Sequence, residues 1–462
     1  MKYIQFLVCF RFLQHISLVL FLSLFLFFQS CTEKSPEVKV KQVALNVYKN
    51  RRFFGIIDST FAVNYPFIHL EHNHYQFYTK GSPNFEKLYF DIKQMVRFKD
   101  RKLNFYHVGG SHLQADVYTH EMRTLLQTNW NGLPGERGWI FPFDLAKTNN
   151  PRNYAFHSSN HWTNYRSTLE RPDSIDYGLL GMVLETPDSI IDIRFNYKKT
   201  QVKPVFDRVR VYHNKGVFPY AFSFAENDTF VIRIQTNVNV GYTDIHFDKN
   251  LDKFHMVLTK QSHVPYKFRL LGFQLSNNQP GISYTTIGVN GASLPTHLGN
   301  KLFEEQLREL PPDFFAFSVG TNDANVLFKD FKPEVFKANL DSLIQLVLRV
   351  NPNCAILLTV PNDAHFKKKF LNRNVARERE MIRELAKKYE GAVWDMYGIM
   401  GELGSSTTWY KYGLMRYDLV HFTATGYKIK GDMYFESFLK WLEQMDLRDR
   451  ELFGNKFSNK PL

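Results

Sequence analysis

The feature that most constrains the fold is a change of pattern along the chain. Residues 103–108 predict a buried strand that ends at Gly109-Gly110-Ser111, and a helix-like stretch covers residues 116–127. A strand, a glycine turn and a helix form the opening unit of a parallel α/β sheet. The same pattern returns later, where strands at 314–319 and 355–360 flank an amphipathic helix. The chain therefore predicts a parallel sheet sandwiched by helices and encoded in two separate stretches.

Between these stretches, short alternating runs recur with turn residues and without helical periodicity. The runs are 190–197, 208–212, 220–224, 230–235 and 254–259. Regular short strands favour a β-sandwich or jelly roll. We therefore expect one α/β domain, with parts at 85–160 and 280–445, interrupted by a β-sandwich insertion at 161–279. Residues 32–84 are interpreted as a linker and approach segment, and residues 446–462 as a C-terminal tail.

The N-terminus has the pattern of a secretory leader. Lys2 and Arg11 precede an uncharged run at 17–28, and Ser30 and Cys31 follow it. A small residue directly before a cysteine resembles a bacterial lipoprotein signal, which predicts a signal peptide at 1–31 and lipidation of Cys31. The alternative is an uncleaved anchor, because the apolar stretch could nearly span a bilayer. Either interpretation places the rest of the chain outside the cytoplasm, facing the periplasm or the cell surface of a bacterium.

The composition argues against an intrinsically disordered chain, a disulfide-rich fold and a nucleic-acid-binding protein. With 44% hydrophobic and 22% charged residues, the chain is far from the profile of intrinsic disorder, and its 462 residues allow two or three domains. Three cysteines cannot form a disulfide framework. The net charge of +13 could attract nucleic acid, anionic lipid or acidic polysaccharide. The longest basic run is Lys367-Lys368-Lys369, and no nucleic-acid-binding motif accompanies it, so we expect no nucleic-acid partner.

Four short segments carry the side chains that ester hydrolysis by a serine requires. They are Val108-Gly109-Gly110-Ser111-His112, Gly288-Val289-Asn290-Gly291-Ala292-Ser293, Val319-Gly320-Thr321-Asn322-Asp323 and Asp418-Leu419-Val420-His421. The chemistry needs a nucleophile, a base, a carboxylate that orients the base, and donors aimed at the developing oxyanion. Each segment alone has an ordinary structural explanation, such as a helix cap or a turn. Because strand ends collect at one edge of an open α/β sheet, the joint pattern predicts one site.

In this order the four segments resemble those of the SGNH (GDSL-type) hydrolases, named for a Ser, a Gly, an Asn and a His. The resemblance implies a flavodoxin-like parallel sheet. It also implies that Ser111 is the nucleophile, His421 the base and Asp418 its orienting carboxylate. The oxyanion hole would consist of the N–H groups of Ser111 and Gly291 and the amide of Asn322, with no metal or cofactor. The chain departs from the family at Gly110, where an aspartate is usual.

A further segment, 135–143, is similar to extracytoplasmic members of this family that carry a β-sandwich insert, among them peptidoglycan O-acetylesterases. We consider Trp139 of this segment, and His112 next to Ser111, as residues that line the substrate site. Trp139, Phe141, Trp162 and Tyr165 could stack on sugar rings, or they could be core aromatics. We expect the insertion to pack beside the active-site edge and to select polymeric substrate.

The resulting prediction is an extracytoplasmic serine esterase that hydrolyses O-acyl esters, above all O-acetyl, on carbohydrate or peptidoglycan through an acyl-enzyme. Its partners would be an acylated polysaccharide and, through a lipid anchor, the membrane. Two alternatives stay open at this point. One is a lipid acylhydrolase, and the other is a surface lipoprotein that binds carbohydrate with a degenerate, inactive hydrolase domain.

Overall fold

The computed structural model describes residues 59–169, 171–198, 204–225 and 230–453. The predicted leader, Cys31 and the end of the predicted tail lie outside the described residues. The strands, in chain order, are β1 (Gln76–Phe77), β2 (Lys102–Gly109), β3 (Gly138–Ile140), β4 (Tyr154–His157), β5 (Thr163–Arg166), β6 (Met182–Thr186), β7 (Ile190–Tyr197), β8 (Phe206–His213), β9 (Tyr220–Phe224), β10 (Val231–Asn237), β11 (Tyr242–Leu251), β12 (Lys253–Lys260), β13 (Phe268–Ser276), β14 (Gly281–Gly288), β15 (Phe314–Ser318), β16 (Ala355–Val360), β17 (His365–Phe366), β18 (Phe370–Leu371) and β19 (Ala392–Asp395).

The helices lie mainly before β3 and after β14, as the change of sequence pattern predicts. They are α1 (Ser59–Asn64), a 3-10 turn (Leu70–His72), α2 (Pro83–Phe98), α3 (Ser111–Gln114), α4 (Tyr118–Asn129), α5 (Leu294–Leu298), α6 (Phe303–Arg308), α7 (Pro333–Val350), α8 (Asn374–Lys388), α9 (Met396–Met400), α10 (Ser405–Lys411) and α11 (Ala424–Phe453). Within the described ranges, none of these helices combines the length and the apolar character that a membrane crossing needs.

The central sheet brings the predicted site segments to one edge. Its strand order is β1-β19-β16-β15-β2-β14, and every strand except the antiparallel β1 runs parallel to its neighbour. The last residue of β2, Gly109, pairs with Gly288 of β14 and with Ser318 of β15. Since all three strands end at the same level, the segments that follow them lie side by side.

The middle of the chain forms two antiparallel sheets. One has the order β10-β11-β8-β13-β6-β5, with β3 also paired to β13, and the other has the order β4-β7-β12-β9. Aromatic rings join the sheets: Phe273 of β13 lies 5.1 Å from Phe156 and 5.8 Å from Phe254, measured between ring centroids. Antiparallel strands begin at Gly138, earlier than the expected start of the insertion at 161. β3 and β4 are too short for their alternation to show in the sequence.

The antiparallel sheets share one hydrophobic core with the α/β part. All described residues belong to one compact unit, and buried side chains of both parts form a continuous cluster. A buried ionic hub reinforces this junction. The Asp116 carboxylate, which follows α3, accepts hydrogen bonds from Arg123 at 3.0 and 3.1 Å and from Arg137 at 2.9 Å. It also accepts from Asn153, just before β4, at 2.8 Å.

Candidate active site

Ser111 begins helix α3 directly after the turn that closes β2. Its Oγ lies 2.8 Å from Nε2 of His421, although the two residues are 310 positions apart in the chain. The Ser111 N–H is at the first helical position and has no acceptor within the described residues. The hydroxyl is therefore hydrogen-bonded to His421, and the N–H, as a first-turn donor of the helix, can donate to a bound group.

The loop 418–421 holds the imidazole of His421 from its other side. Nδ1 of His421 lies 2.9 Å from Oδ2 of Asp418. The other carboxylate oxygen, Oδ1, accepts hydrogen bonds from the N–H groups of Val420 at 3.0 Å and His421 at 2.9 Å. Leu419 adopts the left-handed conformation, with φ of 52°, which lets the loop turn back on itself. The network assigns the proton to Nδ1 and leaves Nε2 to accept the Ser111 proton.

The same network keeps Asp418 ionised. Burial alone would raise the pKa of the Asp418 carboxyl, but hydrogen bonds from the backbone and side chain of His421 and from the Val420 N–H lower it below its ordinary value. The Asp418 side chain is 8% exposed and that of His421 is 28% exposed. The base is thus accessible while the carboxylate that orients it is shielded from water.

Three potential oxyanion donors converge beside Ser111. The Asn322 side-chain amide donates one hydrogen to the carbonyl oxygen of Ala292 at 2.8 Å, which leaves its second hydrogen unused. Gly291, next to Ala292, has a φ of 83°, and its N–H has no acceptor in the part of the chain that the structure describes. Together with the Ser111 N–H, these groups offer three neutral donors at one strand edge.

Gly110, which stands where the family usually has an aspartate, packs against the side chain of Asn322. A Cβ at this position would lie 2.9 Å from Nδ2 of Asn322 and 3.3 Å from the carbonyl oxygen of Ala292. The Asn322 amide therefore packs directly against the bare backbone of the turn. Any side chain at residue 110 would have to displace the proposed oxyanion donor or share its space.

His112 contacts the base rather than an open substrate surface. It is 7% exposed, its ring centroid lies 5.0 Å from that of His421, and its Nδ1 lies 2.8 Å from the Tyr427 hydroxyl. Burial lowers the pKa of His112 well below its ordinary value, so this ring is neutral. The expectation that His112 lines the substrate site is replaced by a packing contact with His421. Tyr427, which completes this contact, carries no motif that sequence analysis could recognise.

Trp139 does not line the site either. It is 1% exposed in strand β3, and its indole stacks on Tyr212 of β8 with centroids 3.9 Å apart. Phe141 and Trp162 are also buried, so three of the four aromatics considered for sugar stacking are core residues. These aromatic side chains are buried because a large apolar ring stabilises the fold most when it is removed from water.

Besides Tyr427, sequence analysis missed two further features of the site. Gln114, at the end of α3, accepts the Asn290 N–H at 2.7 Å and donates to the carbonyl oxygen of Asn149 at 2.9 Å, and so ties two site loops together. The second is a pair of acids beside Asn322, the buried Glu378 and the partly buried Asp323. A Cβ on Gly320, which has a φ of 115°, would lie 3.0 Å from Glu378. Burial and the neighbouring Asp323 raise the pKa of Glu378 well above its ordinary value, and burial raises the pKa of Asp323 to about 6.

Three residues of the types that bind metal ions lie apart from Ser111, His421 and Asn322. His69, Glu71 and His72, on and beside the 3-10 turn, place their ligand atoms within 4.8 Å of one another, and all three side chains are exposed. None of them contacts Ser111, His421 or Asn322.

Comparisons with known proteins show which family part of this chain matches. Residues 265–429 match the sequence model of the GDSL-like Lipase/Acylhydrolase family. The chain carries a GDSL-like acylhydrolase domain. The predictions of this family and of a carboxylic ester hydrolase are therefore confirmed. The match begins after Ser111, and the tertiary structure is what brings that residue to the GDSL-like segments.

The fold of this chain is similar to that of solved structures. A peptidoglycan O-acetylesterase shares 18% identity and a TM-score of 0.66, over 80% of this chain and 99% of that chain. A lipase/acylhydrolase from Enterococcus faecalis is 17% identical with a TM-score of 0.27, over 35% and 77% of the two chains. An acetyl xylan esterase is 19% identical with a TM-score of 0.27, over 33% and 79%. No curated protein matches significantly. The first comparison confirms the predicted fold class.

Proposed function

We propose that this chain is an extracytoplasmic serine esterase that removes O-acyl groups, above all O-acetyl, from carbohydrate or peptidoglycan. The observation that carries the proposal is the hydrogen-bonded series Ser111, His421 and Asp418 beside three unused donors. A serine within hydrogen-bond reach of a base that a carboxylate orients is the arrangement of an activated nucleophile. These residues supply every group that acyl transfer to a serine needs.

In the first half of the reaction, Nε2 of His421 accepts the hydroxyl proton while Ser111 Oγ bonds to the ester carbonyl carbon. The carbonyl oxygen becomes an oxyanion, which the Ser111 and Gly291 N–H groups and the free Asn322 hydrogen stabilise. Asp418 stabilises the imidazolium without accepting its proton. When the tetrahedral centre collapses, the bond to the sugar oxygen breaks. His421 then gives its proton to that oxygen, and an acyl group remains on Ser111.

In the second half, water takes the position of the departed sugar hydroxyl. His421 removes one proton from the water as its oxygen bonds to the acyl carbon. The same donors stabilise the second oxyanion. Collapse breaks the bond to Ser111 Oγ, which regains the proton from His421, and the carboxylic acid leaves. One water is consumed for each ester cleaved, and the enzyme returns to its starting state.

Two observations support the substrate and the location. A solved structure of a peptidoglycan O-acetylesterase matches 80% of this chain with a TM-score of 0.66. The leader at 1–31, with Ser30 before Cys31, supports secretion and lipid anchoring.

Acetate release from a panel of acetylated polymers tests the proposal, using protein that begins after Cys31. We expect release from at least one acetylated glycan, and faster hydrolysis of p-nitrophenyl acetate than of p-nitrophenyl octanoate. A preference for octanoate would identify a lipid acylhydrolase instead. Labelling of Ser111 by a fluorophosphonate probe separates an active enzyme from a degenerate one, and a chain that neither labels nor releases acetate would refute the proposal.

A further inference from the structure

The basic run of the sequence forms the tip of a short hairpin. Strands β17 and β18 pair through His365 with Leu371 and Phe366 with Phe370, and the three lysines Lys367, Lys368 and Lys369 connect them. We call residues 365–371 the lysine hairpin. The proposed mechanism uses none of these residues, and none of them was assigned a function from the sequence.

The lysine hairpin is attached to both catalytic loops. The His365 N–H donates to the carbonyl oxygen of Leu419 at 3.0 Å, and Leu419 lies between Asp418 and His421. At the other side, the Lys367 N–H donates to Oδ1 of Asn325 at 3.3 Å, three residues after Asn322. The hairpin therefore connects the loop of the base to the loop of the oxyanion donor. The three lysines are thereby held beside the loops that carry His421 and Asn322.

The charges at the tip are unpaired. All three lysines are exposed, and none of them has a salt-bridge partner within the described residues. By contrast, Lys337 and Lys388 each pair with a carboxylate on the nearby helices. Three adjacent cations without counter-charges produce a local positive potential, which attracts polyanions in a salt-dependent manner.

The backbone of the tip is unfavourable for the residues that it carries. Lys367 and Lys368 have φ values of 50° and 58°, in the left-handed region. Glycine or asparagine is the usual choice in this conformation, because a side chain with a Cβ is disfavoured there. Glycine at these two positions is compatible with the backbone, so the lysines can be replaced without disturbing the hairpin.

An exposed aromatic ring stands beside the cations. Phe370 is 55% exposed, and the Lys369 ammonium lies 5.5 Å from its ring centroid. An aromatic face can stack on the apolar face of a sugar ring, while an adjacent ammonium pairs with a carboxylate on that sugar. The hairpin thus combines both contacts that an acidic sugar offers.

We propose that the lysine hairpin binds carboxylate-bearing sugars next to the acylated one, so that the preferred substrate is an acidic acetylated glycan. This inference rests on the proposed function and adds a substrate class to it. Binding at the hairpin raises the local concentration of polymer and leaves the chemical step unchanged.

The test replaces Lys367 and Lys368 by glycine, which suits the left-handed backbone and keeps the hairpin foldable. The matched control is Arg97→Ala with Lys99→Gly, which removes two exposed charges and also places glycine at a left-handed position, φ 52°. Lys99 lies before β2, at the opposite end of the strand that leads to Ser111, about 25 Å away. The two variants therefore have the same net charge and lose it at different places on the molecule.

The substrates are acetylated polygalacturonate and the same polymer after reduction of its carboxylates. We expect the hairpin variant to raise KM for the acidic polymer about tenfold, with kcat and p-nitrophenyl acetate hydrolysis unchanged. Added NaCl should raise KM of the unmodified protein in the same way. The reduced polymer and the control variant should show no such change. An equal effect on both polymers, or no effect on the acidic one, would overturn the inference.

A binding measurement separates this inference from the proposed function. Ser111→Ala protein, with and without the hairpin substitutions, is titrated with polygalacturonate that carries no acetyl groups. Weaker binding by the hairpin variant supports the inference even if no acetate release is ever found. Equal binding by both proteins refutes it even if the esterase activity is confirmed.

Discussion

At the scale of single residues, the proposed nucleophile and base act as one unit. Ser111→Ala and His421→Ala should each lower kcat by several orders of magnitude, because either change removes the nucleophile or its activation. Thermal unfolding should change little, since both side chains are partly exposed. The measurement is p-nitrophenyl acetate turnover together with a melting curve. Turnover near that of the unmodified protein in Ser111→Ala would show that another residue is the nucleophile.

Substitution of Asn322 distinguishes a role in catalysis from a role in substrate binding. Its free amide hydrogen is the one side-chain donor of the proposed oxyanion hole. Asn322→Ala should lower kcat by about 100- to 1,000-fold and change KM much less. Steady-state kinetics on an acetyl ester measure both quantities. A raised KM with normal kcat would show that Asn322 only binds substrate.

Gly110 should act through Asn322. A methyl group at residue 110 would lie 2.9 Å from the Asn322 amide nitrogen, which sits at the flexible end of its side chain and can be displaced. Gly110→Ala should therefore reduce kcat by about 10- to 100-fold with little loss of stability. The double variant with Asn322→Ala should be no slower than Asn322→Ala alone. Additive effects would mean that Gly110 acts through some other contact.

At the scale of elements, Asp116 joins helix α4 to the segments that carry Arg137 and Asn153. Asp116→Ala should destabilise the protein by about 3–5 kcal/mol, because it leaves two buried guanidinium groups without their carboxylate. Urea unfolding at pH 7 measures the change, and the exposed Asp173→Ala is a suitable control. If Asp116→Ala lowered the free energy of unfolding no more than Asp173→Ala does, the two arginines would have found other partners.

The pH dependence of this ionic hub follows from the sign of its shift. Burial alone would raise the pKa of Asp116, but Arg123 and Arg137 hold it well below its ordinary value. Its stabilising effect is therefore present above the ordinary carboxyl pKa and is lost only as the pH falls through the lower folded value. The stability difference between the unmodified protein and Asp116→Ala should be constant from pH 5 to 8 and should shrink below about pH 4.

At the scale of the whole molecule, the antiparallel region is not a separable module. Strand β3 pairs with β13, and Trp139 of β3 stacks on Tyr212 of β8. Replacing residues 162–278 by a short linker would remove both partners and expose the shared core. We expect this variant to show no cooperative unfolding transition, whereas the unmodified protein shows a single one by calorimetry. A linker variant that melts cooperatively and hydrolyses p-nitrophenyl acetate would establish an independent α/β domain.

The sequence alone predicted the ester-hydrolase class and the architecture of the parallel sheet. Buried strands such as 355–360 form continuous apolar runs, and Ser111 and Asn322 follow the ends of two such strands, so local pattern predicts where these two residues lie. His421 follows no strand, and its place in the site was predicted from the resemblance of its segment to those of the SGNH hydrolases. Tertiary structure decided where Trp139 lies, how Gly110 packs and which loops the lysines join. These features depend on contacts between residues far apart in the chain, such as β3 with β8 and β17 with the loop of His421. Periodicity reports which side of an element is apolar, but it does not identify the surface that covers that side.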